Sequence, residues 1–163
     1  MKATLKEIKN LINNQTFLIE DQKEGEQVTP CMDVHKSKIQ SDGSLDKLKL
    51  RIIVGGELQN KEMVGDTWSP TASMRNCKYF LADAAKYKAR VYQLDFIVAF
   101  LQAKVKNRVF VKLDMRYAAY FPEYAHYFGR TLKLLESMYG MTNSGIMFAD
   151  ELTEWIIEEE FIQ

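Results

Sequence analysis

The sequence has little of what marks several common classes of small protein. Its 163 residues include two cysteines, two histidines and three prolines. Cys31 and Cys77 are far apart and belong to no Cys-x-x-Cys motif, and His35 and His126 have no partners at ligand spacing. These absences argue against a zinc site and against a disulfide framework. We therefore expect buried, reduced thiols and histidines with structural roles.

Excess charge and long apolar runs are also absent. The chain has 22 basic and 22 acidic residues, so it has no overall attraction to nucleic acid, and any such binding must use a local basic patch. No apolar run is long enough for a signal peptide or a membrane span, so we expect an intracellular protein without membrane contact. The 47% apolar content and the lack of a Pro/Gly linker indicate one globular domain with a sizeable core.

The periodicity of the apolar residues predicts an α+β fold. Asp42-Gly43 is a strong turn signal between two alternating segments, 34–40 and 48–54, and predicts a β-hairpin. The other predicted elements are helices over 3–13, 73–88 and 144–161, strands over 16–19, 90–95, 108–113 and 131–135, and an aromatic-packed loop over 117–129. We expect the helix over 73–88 to pack against a sheet that contains the 90–95 strand.

Asp95 ends this predicted strand and precedes a short apolar helical turn. A carboxylate at a strand end can hold a divalent metal against a phosphate. It can equally cap the helical turn that follows it. The local pattern leaves both roles open.

Four segments occur in the order and at the spacing seen in one family. They are Asp66-Thr-Trp-Ser69-Pro70, Ala82-Asp-Ala-Ala-Lys-Tyr87, Gln93-Leu-Asp95 with Ala99-Phe-Leu101, and Ser137-Met-Tyr-Gly-Met-Thr-Asn-Ser144. With them the chain resembles the reverse transcriptase domain of copia-type retrotransposons. The family's opening helix and first strand are similar to Leu5 through Leu18, so the resemblance covers nearly the whole chain.

The resemblance implies a reverse-transcriptase-like fold, with a fingers hairpin and an incomplete palm that is a ferredoxin-like antiparallel sheet with helices on one face. Fingers would span roughly 1–72 and 104–136, interleaved with palm over 73–103 and 137–163. It also implies an RNA-directed DNA polymerase within a polyprotein that carries protease, integrase and RNase H modules. Its partners would be an RNA or DNA template-primer and deoxynucleotides, in a cytoplasmic particle or the nucleus.

For two residues the resemblance implies a role in catalysis, as ligands of two Mg²⁺ or Mn²⁺ ions. Asp95 would be the catalytic carboxylate and bind both metals, and the backbone carbonyl of Phe96 would help to hold the second. The family's other carboxylates come from a Tyr-x-Asp-Asp hairpin after the last helix, and these residues contain no Asp-Asp pair. We therefore expect this chain alone to be inactive as a polymerase.

The other implied site residues bind substrate. Phe100 would exclude the 2′-hydroxyl of a ribonucleotide, or it is a core residue. Lys49 and Arg51 would contact the incoming nucleotide, or they line the solvent face of a strand. Tyr139 and Gly140 would support the nascent pair, with glycine allowing close backbone approach.

Several positions depart from the family pattern. Gly55 stands where the family has a basic residue, and the turn after Tyr139 differs at Thr142, Asn143, Gly145 and Ile146. A degenerate element fragment with at most nucleic-acid-binding function is therefore the alternative. A small-molecule enzyme is disfavoured because no nucleophile, Gly-rich phosphate loop or paired acid and base stands out.

Overall fold

A long β-hairpin and three short strands build the sheet in the computed structural model, which describes residues 2–60 and 64–159. The strands are β1 (Phe17–Ile19), β2 (Val28–Ile39), β3 (Leu45–Val54), β4 (Phe110–Lys112) and β5 (Thr131–Leu134). The helices are α1 (Lys2–Asn13), α2 (Met74–Lys86) and α3 (Ser144–Glu158), with 3-10 helices at Gly56–Leu58, Ala99–Gln102, Met115–Ala119 and Pro122–Tyr127. The α+β class is confirmed, while the predicted end of the last helix at residue 161 lies outside the described residues. No helix in the described part of the chain is long and apolar enough to cross a membrane.

The hairpin forms where Asp42-Gly43 predicts it. Gly43 has φ +84°, and the carboxylate of Asp42 accepts hydrogen bonds from the backbone N–H and the hydroxyl of Ser44. Both interactions are local, and they close the turn between two alternating strands. The hairpin prediction is therefore confirmed.

The sheet is mixed, and all its strands lie in the ranges expected for fingers, so the antiparallel palm sheet stays a prediction. Its strand order is β1-β5-β4-β2-β3. Residues 28–30 of β2 run parallel to β4, whereas residues 31–39 pair antiparallel with β3. Parallel pairing follows from the long connection between β2 and β4, which lets the chain return to the sheet in the same direction.

One core fills the space between α1, the sheet and the aromatic segment. Its fully buried side chains include Ile8, Leu11, Ile52, Val54, Phe110, Val111, Phe128, Leu132, Leu134 and Met138. Tyr117, Phe121 and Phe128 all join this core, which confirms the aromatic-packed loop. The hydroxyl of Tyr117 donates a hydrogen bond to the Asp33 carboxylate. The loop is therefore held by packing and by this partly buried contact.

Two predicted features of the middle of the chain are wrong. Residues 90–95 form no strand, and α2 has no buried residue. Phe80 and Leu81, expected to face a sheet, are 59% and 57% exposed, and Cys77 is exposed rather than buried. Because a strand needs a hydrogen-bonded neighbour, the alternation over 90–95 cannot form one where no described strand pairs with it. Among the described residues, no sheet therefore packs against α2.

Candidate functional site

Arg51 lies on β3 with its guanidinium over the ring of Tyr139, 5.0 Å from the ring centroid. The side chain is 40% exposed, so one side of the guanidinium stays open to solvent. Its Nη1 is 3.4 Å from the Glu7 carboxylate and also donates to the carbonyl of Leu50 at 3.2 Å. Three contacts thus orient a cation that remains accessible to a ligand.

Glu7 is a residue of this site that the sequence reasoning missed. It lies on α1, is 3% exposed, and packs beside buried Ile8 and Leu11. Burial raises the pKa of its carboxyl above the ordinary value, and the positive charge of Arg51 opposes part of that rise. The sequence feature that could have indicated Glu7 is its position four residues before Leu11, at the edge of the apolar stripe of α1.

Phe100 joins the same cluster from the 3-10 helix that follows Asp95. Its ring packs edge-on against Tyr139 at 5.4 Å and against Phe148 of α3 at 6.3 Å. The hydroxyl of Ser137 donates to the carbonyl of Phe100 at 2.6 Å, which ties this helix to the turn that carries Tyr139. The predicted helical turn after Asp95 is confirmed, and its aromatic residue contacts the predicted supporting tyrosine.

Phe96 lies at the other end of this row of rings. It is 36% exposed and packs edge-on against Phe148 at 5.6 Å and Trp155 at 6.3 Å. Phe148 therefore connects Phe96 to Phe100. The row holds the end of the 90–96 segment against α3, although that segment forms no strand.

Gly140 allows the turn after Tyr139 to approach β3. Its φ is +90°, and a Cβ at this position would overlap the carbonyl oxygen of Val54 and lie 3.0 Å from the Cβ of Ile53. The Val54 N–H donates to the carbonyl of Tyr139 at 2.8 Å. Glycine is required here by the chain's own backbone. Its predicted role beside a template stays a prediction.

Lys49 and Asp95 lie away from this cluster. Lys49 is on the same face of β3 as Arg51, two residues nearer the hairpin tip. Asp95 is exposed in the irregular segment between α2 and the 3-10 helix. In the described ranges no three His, Cys, Asp or Glu side chains come together. The structure thus brings together Arg51, Tyr139 and Phe100 and links Phe96 to them. Among the described residues, Asp95 belongs to no group of three such side chains that could hold a metal.

Comparison with known proteins is consistent with these features. The family model described as "Reverse transcriptase (RNA-dependent DNA polymerase)" matches residues 14–163. The chain is also 29% identical over 142 residues to the "Retrovirus-related Pol polyprotein from transposon TNT 1-94" of Nicotiana tabacum, an alignment that covers 86% of this chain and 10% of that protein. It therefore spans about a tenth of the length of this curated relative. No solved structure matches. Because the family model covers almost the whole chain, this protein belongs to the reverse transcriptase (RNA-dependent DNA polymerase) family, in its copia-type branch.

Proposed function

We propose that this chain is the fingers and the first part of the palm of an RNA-directed DNA polymerase in a copia-type retrotransposon polyprotein. The observation that carries the proposal is the contact of Arg51, Tyr139 and Phe100, which come from three separate segments. In the proposed division, fingers span roughly 1–72 and 104–136, and palm spans 73–103 and 137–163. The partners would be template-primer, deoxynucleotides and the other polyprotein modules, inside a cytoplasmic particle or the nucleus.

The proposed task of the cluster is to hold the incoming nucleotide. The open side of the Arg51 guanidinium can stack on a base or pair with phosphate oxygens. The Phe100 ring packs against Tyr139 and Phe148, and its proposed role is to exclude a 2′-hydroxyl. Lys49 adds positive charge farther along β3. These are positioning and selection tasks, and none of them requires a proton transfer.

The described residues do not fit the pair of metal ions that the family uses. Two ions need carboxylates from separate strands that converge on one point. Asp95 is the one family carboxylate among the described residues, and these residues hold no group of three His, Cys, Asp or Glu side chains around it. We therefore assign no chemical step to this chain alone.

Exposed apolar surface supports the palm part of the proposal. On α2, the large exposed side chains include Met74, Tyr79, Phe80 and Leu81, and in the segment after it Tyr92 and Leu94. Several large apolar side chains exposed on one helix and the segment after it are typical of a place where other protein packs. We propose that a palm strand pairs with residues 90–95 and that the resulting sheet covers α2.

The alternative is a degenerate element fragment that binds nucleic acid without polymerising it. The departures at Gly55 and in the turn after Tyr139 favour it. In the structure the Thr142 N–H donates to the Gln59 side chain at 3.1 Å, and Asn143 donates to the carbonyl of Val64 at 2.8 Å. These substituted residues are engaged by their own chain, so they anchor the turn.

Substitution of Arg51 in an active polymerase tests the proposal. The protein would be a chimera in which this chain is followed by a Tyr-x-Asp-Asp hairpin segment of the family, assayed for primer extension. Arg51→Gln should lower kcat/KM for deoxynucleotides at least about tenfold, because a charge-assisted contact is lost. The matched control is Arg130→Gln, which removes the same charge from an exposed residue outside the cluster. Equal effects of the two substitutions would contradict the proposed role of Arg51.

A second substitution in the same chimera tests the gate. Phe100→Ala should admit ribonucleotides, because the ring that meets the 2′-hydroxyl is removed. The readout is the ratio of kcat/KM for deoxynucleotide and ribonucleotide. An unchanged ratio would leave Phe100 as a packing residue only.

A further inference from the structure

A cavity lies where α1, β2 and the 3-10 helix at Met115–Ala119 meet. Its volume is about 440 Å³, which is enough for a small organic molecule or one long side chain. The residues that give it its chemistry are two carboxylates, one guanidinium and three aromatic rings: Asp33, Asp114, Arg116, Tyr117, Tyr120 and Phe121. None of them belongs to the cluster of Arg51, Tyr139 and Phe100.

Asp33 and Arg51 point to opposite faces of the hairpin. In the strand register Asp33 pairs with Ile52, whereas Arg51 pairs with the next residue, Val34. Successive side chains of a strand alternate between its two faces. The cavity is therefore separate from the proposed nucleotide-binding cluster.

Tyr117 fixes the Asp33 carboxylate in the cavity. Tyr117 is 8% exposed, and its ring packs against Phe121 and Phe128 of the core. Its hydroxyl donates a hydrogen bond to Oδ1 of Asp33. Burial first, and then this hydrogen bond, raises the pKa of Tyr117, so the hydroxyl keeps its proton and remains the donor. Asp33 is thus held by a neutral group, and among the described residues no cation forms an ion pair with it.

Asp114, the second carboxylate, is neutralised by its own chain. Arg116 donates to Oδ2 of Asp114 from Nε at 2.8 Å and from Nη2 at 2.5 Å. These hydrogen bonds lower the pKa of Asp114, so this carboxylate stays ionised and paired. The other lining residues are uncharged, and the unpaired negative charge of the cavity belongs to Asp33.

An organic cation matches this lining. A carboxylate attracts an ammonium or guanidinium group, and aromatic rings bind both the charge, by cation–π attraction, and the carbon atoms attached to it. Tyr120 supplies such a ring, which is 60% exposed. A metal ion would need further oxygen ligands, and the part of the chain that the structure describes holds no group of three metal-ligating side chains.

We propose that this cavity binds an organic monocation, with its charged group on Asp33 and its carbon frame on the rings of Tyr117 and Tyr120. The binding requires neither Asp95 nor a metal ion. Its success or failure is therefore independent of whether any chimera extends a primer.

The first test is titration of the 163-residue chain with benzamidine and with benzamide, followed by chemical-shift changes in NMR spectra. The two probes have nearly the same shape, and only benzamidine carries a positive charge. Benzamidine should bind at least about tenfold more tightly, because benzamide leaves the Asp33 charge unpaired. Equal affinities, or no shift of the Tyr117 and Tyr120 signals, would overturn the inference.

Three substitutions locate the cation. Asp33→Asn keeps an oxygen that can accept from Tyr117 but removes the charge, so it should weaken benzamidine binding at least about tenfold. Asp46→Asn removes the same charge from an exposed residue of β3 and should leave binding unchanged. Arg116→Gln releases Asp114 and should tighten binding by about threefold.

Thermal unfolding curves check that each variant keeps the fold. Equal effects of the two aspartate substitutions would overturn the inference. So would unchanged or weaker binding after Arg116→Gln, because a cavity that takes a cation gains from a second free carboxylate.

A competition experiment identifies the source of the cation. Butylguanidinium and the peptide acetyl-Gly-Arg-Gly-amide present the same guanidinium group, one as a free small molecule and the other as a protein side chain. Stronger displacement of benzamidine by the peptide would assign the cavity to an arginine of a protein partner, and stronger displacement by butylguanidinium would assign it to a small organic cation. Displacement by neither would overturn the inference.

Discussion

Gly140 and Gly43 have similar backbone angles but different surroundings. Both have positive φ, +90° and +84°, yet a Cβ at position 43 would meet no atom within 4 Å, whereas at position 140 it would overlap Val54. Gly43→Ala should cost about 1–2 kcal/mol of unfolding free energy through its backbone conformation alone. Gly140→Ala should cost at least about 2 kcal/mol more, because β3 and the turn must separate. Urea unfolding of both variants measures this, and equal losses would contradict the close approach at Gly140.

Glu26 provides a prediction about acid stability. Its carboxylate accepts hydrogen bonds from Arg108 Nε at 2.6 Å and from the Lys23 N–H at 2.7 Å, and these contacts, that from Arg108 first, lower its pKa to about 2 from an ordinary 4.5. A carboxyl whose pKa is lower in the folded state stabilises the fold above its unfolded pKa, and this stabilisation is lost as the pH falls through the folded value. The contribution of Glu26 should therefore be complete above pH 4.5 and disappear towards pH 2.

The measurement is the unfolding free energy from urea titrations across that pH range. Glu26→Gln should flatten the acid loss of stability, while Glu24→Gln, an exposed neighbour, should keep it. The account of Glu26 fails if the two variants lose stability in acid along the same curve.

Arg51 and Glu7 show what the sequence can and cannot predict for single residues. The match to the family predicts Arg51 as a site residue, and the structure places it over Tyr139, which in turn contacts Phe100. Glu7 is 44 positions away from Arg51 along the chain, so no local pattern connects them. Contacts at such separation depend on how α1 packs on β3, which periodicity does not specify.

The hairpin of β2 and β3 was predictable because its causes are local. The Asp-Gly turn and the alternation of each strand lie within a few residues of one another. The parallel pairing of β2 with β4 was not predictable, because about 80 residues separate the paired strands. The predicted strand over 90–95 failed for a related reason, since alternation cannot supply the neighbour that a strand needs.

Repulsion between paired lysines of the hairpin gives a prediction about stability. In the strand register Lys36 lies opposite Lys49. Lys36→Glu should stabilise the chain by about 0.5 kcal/mol, because it converts this like-charge pair into an opposite-charge pair. Lys106→Glu, which makes the same charge change away from the hairpin, is the control. Destabilisation by Lys36→Glu in thermal unfolding would contradict the role given to the lysine pairs.

The exposure of α2 gives a prediction about its contribution to stability. Leu81 is 57% exposed and Leu132 is fully buried. Leu81→Ala should cost less than about 0.5 kcal/mol, as expected for a surface residue, whereas Leu132→Ala should cost about 2–5 kcal/mol. Urea unfolding distinguishes them. A large cost at Leu81 would show that α2 packs against the rest of this chain.

The whole molecule combines a packed half and an unpartnered half. Helix α1, the sheet and the aromatic segment share one core, and the cluster of Arg51, Tyr139 and Phe100 lies beside it. Helix α2 and residues 90–97, which include Asp95, remain exposed. In this account the packed half carries the proposed nucleotide-binding cluster, and catalysis needs a sheet that supplies further carboxylates beside Asp95.

Primer extension with Mg²⁺ tests this account most directly, using the 163-residue chain, the chimera that adds a Tyr-x-Asp-Asp hairpin segment, and Asp95→Asn in each. We predict no extension by the chain alone, extension by the chimera, and loss of that extension on Asp95→Asn. Extension by the chain alone that Asp95→Asn abolishes would contradict the account, and so would a chimera whose extension is indifferent to Asp95.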